Sequence, residues 1–285
     1  MRWEGAGWLT PLPHQDFLDN YLQVHWCSDG SGYQSMTQLP SETWENVLDH
    51  LSSDTATLVC CALVSRLFSW KSRYLLFSRV RLTSRKSLYS LARVAKDRDL
   101  RFPWHDPQEL QLEERPSYQN FQGSFVHLAP IILARYLTKL EVLSFSSVNW
   151  HAETLMLSSP FQLAISSLVS LKTLSISKCV FPNLHELYRL IRCMPQLTSL
   201  NVSECGVRFA RRTPEDALPI LRLGLTRLVI QDCPAIVSED LISCLQGSPT
   251  CHTLHTFVLK TDSPWDHASI LTAWGDQLEH FEVDS

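Results

Sequence analysis

The stretch Leu171-Lys172-Thr173-Leu174-Ser175-Ile176-Ser177-Lys178-Cys179 decides the fold, because its pattern recurs along the chain. Apolar residues occupy its first, fourth and sixth positions, and a cysteine or another apolar residue occupies the ninth. Full copies lie at 140–148, 171–179, 197–205 and 225–233, and weaker ones at 254–259 and 278–283. Successive copies are about 24 to 31 residues apart. The alternation of apolar and polar residues predicts one β-strand in each copy.

Helical patterns separate these strands. Five apolar residues share one face of a helix: Leu184, Leu187, Leu190, Ile191 and Met194. A second helix is expected to start at Ser238 as N-cap, with acidic Glu239 and Asp240 in its first turn. Single strand–helix units cannot bury their apolar faces, but stacked units can. The period therefore predicts a solenoid with a curved parallel sheet and an exposed concave face, and two earlier strands, at 77–82 and 109–112, fit the series.

Strand alternation also assigns side chains to the two faces of the sheet. Six polar side chains are predicted to point away from the core: Ser144, Ser175, Ser177, Ser199, Ser203 and Gln231. They carry no distinctive charge pattern, so they indicate no substrate class. Cys179, Cys205 and Cys233 share one position where the chain turns back into the core. A small apolar side chain with a weak S–H donor suits that position, which favours a packing role.

The N-terminal part carries a different pattern, centred on 39–51. Trp44, Val47, Leu48 and Leu51 follow at helical spacing, with Pro40 at the start and Ser41 as the expected cap. Either Asp54 or Thr55 can cap a second helix. That helix is apolar on nearly all sides from Leu58 to Val64, so part of its surface is expected to face another domain or protein.

Composition narrows the function classes. The chain has 285 residues and a net charge of -4, which gives no general preference for nucleic acid or an anionic membrane. The basic stretch 66–86 is interpreted as a solvated surface. No apolar run approaches the ~18 residues of a membrane span. The nine cysteines form no C-x-x-C pair, and no secretory signal is recognised, so reduced thiols in the cytoplasm or nucleus are expected.

No motif for catalysis or metal binding is recognised. The chain contains no G-x-S-x-G, G-x-G-x-x-G, P-loop or H-E-x-x-H sequence. Two clusters of possible zinc ligands, Cys244 with Cys251, His252 and His255, and His25 with Cys27, are interpreted as ordinary loop or strand residues. We therefore expect no metal and no cofactor, and the paired acids at 113–114 and 215–216 are interpreted as solvated surface.

The segment 39–68 resembles an F-box, and the whole chain is similar to F-box proteins with leucine-rich repeats. The likeness is strongest to fungal proteins with a pattern like Cys61-Ala62-Leu63-Val64-Ser65-Arg66, followed by Arg73-x-x-Leu76-Phe77-x-x-Val80. Trp44 stands where a smaller aliphatic residue is usual, and Phe68 where tryptophan is common. Both keep apolar bulk.

The composition of residues 1–36, rich in glycine and proline, predicts an irregular tail. The resemblance implies a three-helix F-box at 37–82 and an irregular leucine-rich-repeat-like domain at 83–285 that binds a substrate. The last strand, 281–283, leaves an open sheet edge with no capping unit. We interpret this edge either as the effect of a truncated gene model or as the place of a partner.

The resemblance also implies a function. F-box proteins bind a Skp-type adaptor and, through it, the cullin of an SCF-type ubiquitin ligase, while the other domain holds a protein substrate. Catalysis lies elsewhere in such a complex, so the chain itself is not expected to be an enzyme. The residues that the resemblance assigns to adaptor binding are Leu39, Pro40, Val47, Leu48, Leu51, Leu58, Val64 and Phe68.

Two alternatives differ in class. The first is a repeat scaffold or interaction protein whose F-box does not support ubiquitination. The second is a helical nucleic-acid module that uses the basic stretch 66–86. Leu39-Pro40 and the apolar second helix favour adaptor binding over the scaffold. The net charge of -4 and the lack of a basic repeat face count against nucleic acid.

Overall fold

The computed structural model describes residues 40–64, 66–96, 107–114, 124–150, 158–208, 223–246, 249–260 and 274–284. The predicted tail at 1–36 and the predicted adaptor contact Leu39 lie outside these residues. The chain divides between Leu76 and Phe77 into two compact units. This division falls earlier in the chain than the predicted boundary between 82 and 83.

The first unit is helical. Helix α1 spans Ser41–His50, α2 spans Thr55–Val64 and α3 spans Arg66–Ser78, whose last turn passes the division. Leu48 of α1 and Leu58 of α2 are buried. The rings of Trp44 and Phe68 lie 5.3 Å apart between centroids, which ties α1 to α3. Pro40 occupies the N-cap position of α1, so the prediction that Ser41 caps this helix is wrong, and Ser41 is its first residue.

The second unit contains an eight-stranded, fully parallel sheet beside a pair of very short strands. The strands are β1 Arg79–Leu82, β2 Glu109–Glu113, β3 Val142–Ser146, β4 Thr173–Ser177, β5 Val180–Phe181, β6 Ser199–Ser203, β7 Gly206–Val207, β8 Arg227–Gln231, β9 Thr256–Lys260 and β10 His280–Asp284. The order in the large sheet is β1-β2-β3-β4-β6-β8-β9-β10, and β5 pairs with β7. The strand predicted at 77–82 is present as β1 but begins at Arg79, because residues 77–78 still belong to α3, and the strand predicted at 109–112 is β2.

Helices and 3-10 turns connect the strands. They are α4 Arg85–Lys96, α5 Leu128–Leu133, α6 Ser159–Ser166, α7 Leu184–Arg192 and α8 Ala235–Gln246, with 3-10 turns at Ala134–Tyr136, Pro249–His252 and Gly275–Gln277. The result is a mixed α/β, solenoid-like arrangement, as the repeat predicted.

The strands stack in register, so equivalent residues lie side by side. The second positions form one apolar column, Val80, Leu110, Leu143, Leu174, Leu200, Leu228, Phe257 and Phe281. The fourth positions form another, Leu82, Leu112, Phe145, Ile176, Val202, Ile230, Leu259 and Val283. Both columns belong to one continuous core with the inner faces of the helices. Only stacking buries these residues, because a single strand has no partner for its apolar face.

The two predicted connecting helices have different outcomes. Helix α7 is confirmed: Asn183 caps it by accepting a 3.0 Å hydrogen bond from the Glu186 backbone N–H. The prediction that Ser238 caps α8 is wrong, because this helix already begins at Ala235, after Pro234. Val237 lies one turn before Leu241 on the buried face, so burial extends the helix towards its N-terminus.

Four residues that directly follow sheet strands adopt left-handed backbone conformations. Ser147, Lys178, Glu204 and Asp232 have φ values of 57°, 55°, 50° and 52°. Their backbone N–H groups continue the sheet ladder; that of Lys178, for example, donates to the Ser203 carbonyl at 2.9 Å. The next residue in each repeat, Val148 or one of the three cysteines, is buried. The left-handed residue therefore turns the chain from the strand into the core.

This conformation predicts an ordered pair of variants at Lys178. A side chain in the left-handed region costs roughly 1–2 kcal/mol, glycine avoids that cost, and a β-branched residue tolerates the region worst. We expect Lys178→Gly to be more stable than Lys178→Val by about 1–2 kcal/mol in urea unfolding. Both variants lose the exposed ion pair with Glu204, at 3.5 Å, so the comparison isolates the backbone. Equal stability of the two variants would contradict the assigned role.

Candidate protein-interaction site

Helix α2 exposes an apolar surface. Its sequence is apolar from Leu58 to Val64, yet Leu58 is the residue of this helix that is buried. Val59, Leu63 and Val64 are 37%, 58% and 82% exposed. A helix that is apolar on all sides is normally buried on all sides. The first unit thus leaves α2 with a contiguous apolar face, because positions 59, 63 and 60, 64 are each one helical turn apart.

Asp54 fixes where this helix begins. The backbone N–H of Thr57 donates to its Oδ1 at 3.0 Å, and the Thr57 hydroxyl donates to its Oδ2 at 2.6 Å. Of the two predicted caps, Asp54 is therefore the one that caps α2. These hydrogen bonds, with the one from the Thr57 hydroxyl contributing most, hold the pKa of Asp54 below its ordinary value.

The predicted adaptor-binding residues of the first unit occupy three environments. Pro40, Val47 and Val64 are exposed, Leu51 and Phe68 are half-buried, and Leu48 and Leu58 are buried. Exposure makes the first group available for contact, whereas Leu48 and Leu58 serve the core of the unit.

Among the large apolar residues that the structure describes in the first unit, three exposed ones were not among the predicted contacts: Val59, Leu63 and Trp70. An all-round apolar helix does not reveal from sequence which side packs inward. The sequence indicates that part of the α2 surface faces another domain or protein, but it does not indicate which side of the helix this is.

The open face of the sheet, defined as the face opposite the buried columns, forms a second surface. The six predicted outward residues are half-buried and alternate with buried ones, so their placement is confirmed. Ser146 and Ser177 are in hydrogen-bond contact there, 3.2 Å apart. At Val229 and Val258 the pattern differs, because both lie on the open face but are only 5% and 6% exposed.

Three ion pairs on the open face lie towards its two ends. Arg79 lies 3.4 Å from Glu109, Arg81 contacts Glu113, and Lys260 lies 3.1 Å from Glu282. Between them, β3, β4 and β6 present serine, threonine and asparagine. The open face thus offers neutral hydrogen-bonding groups on β3, β4 and β6, with ion pairs towards its two ends.

The three repeat cysteines have the packing role predicted for them. Cys179, Cys205 and Cys233 are buried, and each thiol donates to the carbonyl two residues earlier at 3.3 Å. A hydrogen bond with Cys179, together with burial, raises the pKa of Cys205 to about 12. The hydrogen bond with Cys205 likewise raises the pKa of Cys233. At neutral pH these two groups remain thiols and are poor nucleophiles.

The described part of the chain contains no group of three or more His, Cys, Asp or Glu side chains arranged to hold a metal ion. Nor does any helix within it have both the length and the apolarity needed to cross a membrane.

The pKa of Asp54 predicts a pH dependence. Folding lowers this pKa, so the ionised carboxylate stabilises α2 above the ordinary value of 3.8, and this stabilisation is lost as the pH falls through the lowered value. Asparagine also caps helices but does not titrate there. We expect the melting temperature of the parent chain to fall relative to Asp54→Asn as the pH drops below about 4. A constant difference from neutral to acidic pH would argue against the cap.

The burial contrast on α2 predicts a second pair of effects. Leu58→Ala should cost about 2–5 kcal/mol through cavity formation, whereas Val64→Ser should change stability by no more than about 0.5 kcal/mol. Hydrogen exchange of the backbone amides of α1 and α3, measured in the full chain, reports the stability change in each variant. Protection should collapse in Leu58→Ala and persist in Val64→Ser. Equal loss of protection would show that Val64 is a core residue.

Two comparisons with known proteins give the same result. No protein-family model matches the chain, and no match is found among the curated proteins. The surface of α2, the open face of the sheet and the motifs in the sequence are the features that bear on function.

Proposed function

We propose that this chain is an F-box substrate receptor of an SCF-type ubiquitin ligase. In this proposal the helical unit is the F-box and binds a Skp-type adaptor, and the sheet unit is a leucine-rich-repeat-like domain that binds a protein substrate. The proposal depends on one observation above all, the apolar face of α2, whose Val64 is 82% exposed.

Burial energetics support a protein partner for this face. Fully burying a valine or leucine side chain gives about 1.5–3 kcal/mol relative to leaving it exposed. Burying the exposed parts of Val59, Leu63 and Val64 against a partner would therefore contribute several kcal/mol of free energy that folding of the first unit does not provide. Contiguous apolar surface on a folded chain marks an interaction site. Val47 of α1 and Trp70 of α3 are also exposed and can extend such a contact, and aromatic residues are frequent energetic anchors of interfaces.

The proposed role requires no catalytic group in this chain. A receptor raises the effective concentration of its substrate near the ubiquitin-loaded enzyme and orients it. The open face of the sheet is the proposed substrate surface. Its neutral middle suits hydrogen bonding to a protein backbone or to polar side chains, because its serine and asparagine groups both donate and accept.

Adaptor binding gives the direct test. We expect the full chain to co-elute with a purified Skp-type adaptor in size-exclusion chromatography. The double substitution Leu63→Glu and Val64→Glu should abolish co-elution, because it places two carboxylates in an apolar contact. Val169→Glu is the matched control, since Val169 is 73% exposed in the sheet unit and should have no effect. Unchanged melting temperatures would show that both variants remain folded.

Two results would contradict the proposal, and one further double substitution extends the test. Full co-elution of the double variant would overturn the assigned contact. No binding by the parent chain would overturn the ubiquitin-ligase role in favour of a repeat scaffold. Replacing Pro40 by Ala together with Leu39 by Ala tests the contact implied by the sequence motif, and it should weaken binding as well.

A further inference from the structure

The groove between α6 and α7, on the helical side of the sheet unit, has no part in the function proposed above. It is a cavity of about 630 Å³ lined by Ser159, Gln162, Leu163, Ser166, His185, Arg189, Arg192 and Cys193. We propose that it docks an acidic segment of a partner protein, with carboxylates on α7 and an apolar side chain on Leu163.

The two walls of the groove have regular helical spacing. Ser159, Gln162, Leu163 and Ser166 are spaced i, i+3, i+4 and i+7 on α6, so they form one stripe. His185, Arg189 and Arg192 are spaced i, i+4 and i+7 on α7 and form the facing stripe. Each stripe spans two helical turns, about 10 Å, which matches a short stretch of a bound peptide.

The α7 wall is positively charged. Its basic side chains face the groove, and none of the lining residues that the structure describes is a carboxylate. Arg189 is partly compensated by Glu186, whose Oε1 accepts from it at 2.7 Å, but Glu186 itself is buried and outside the lining. Arg192 is exposed in the last turn of the helix. Guanidinium groups bind carboxylates through two parallel hydrogen bonds, so this wall is complementary to Asp and Glu side chains.

The α6 wall selects the class of partner. Leu163 is 71% exposed and offers an apolar contact, while the serine and glutamine side chains beside it can bond a peptide backbone. Single-stranded nucleic acids are bound on aromatic side chains that stack with bases. The described part of the lining contains no aromatic residue, which favours a peptide that combines acidic and apolar side chains as the anionic partner.

A displayed library of 12-residue peptides tests the groove with the full chain. We expect selected peptides to be enriched in Asp and Glu next to an aliphatic residue. In fluorescence anisotropy with a selected peptide, Arg192→Gln and Leu163→Ser should each weaken binding by about tenfold. Raising the salt concentration should also weaken binding, because exposed charges are screened.

Matched variants elsewhere on the surface control for non-specific effects. Lys86→Gln removes an exposed cation from α4, and Val169→Ser removes an exposed apolar side chain, and neither should change the affinity. Selection of peptides without acidic residues would overturn the proposal. So would equal affinity of the parent and Arg192→Gln chains, or equally tight binding of a single-stranded RNA that competes with the peptide.

Discussion

In-register stacking of eight parallel strands is the constraint on which the rest of the sheet unit depends. Each strand supplies one residue to each of two apolar columns, and a column is buried only when its neighbours are present. The left-handed residues after β3, β4, β6 and β8 then aim the next side chain into the same core. Cysteine suits three of these positions because it is small and its thiol can reach a backbone carbonyl.

The same alternation that builds the core also builds the working surfaces. Residues between the column positions must face away from the core, which places hydroxyl and amide groups on the open face. The helices that cover the other face leave a charged groove between α6 and α7. The helical unit differs, since α2 has more apolar surface than its own unit buries. The apolar face of α2 is therefore exposed because the core of the helical unit does not cover it.

The sequence predicted most of the sheet unit and the existence of the α2 surface. Strand positions were predictable because the residues of two columns recur every 24 to 33 residues, and α7 was predictable because its apolar stripe is unbroken. The start of α8 was not predictable from the sequence. Ser238 has the residue type of an N-cap, but the burial of Val237 extends the helix to Ala235. The exposed side of α2 and the near-burial of Val229 and Val258 depend on tertiary neighbours. The groove depends on the distance between two helices, which no local pattern encodes.

The fixed register has a consequence for how the chain tolerates change. Distances along the sequence from strand to strand differ by several residues, yet the side chains of neighbouring strands still align one to one. Differences in length are therefore absorbed by the helices and connections, and the lattice of side chains on the open face keeps its spacing. Insertions and deletions between strands remodel the outer layer, where α6 and α7 lie, whereas recognition by the open face changes only by substitution. The two faces of one repeat unit thus have different routes by which they can diverge.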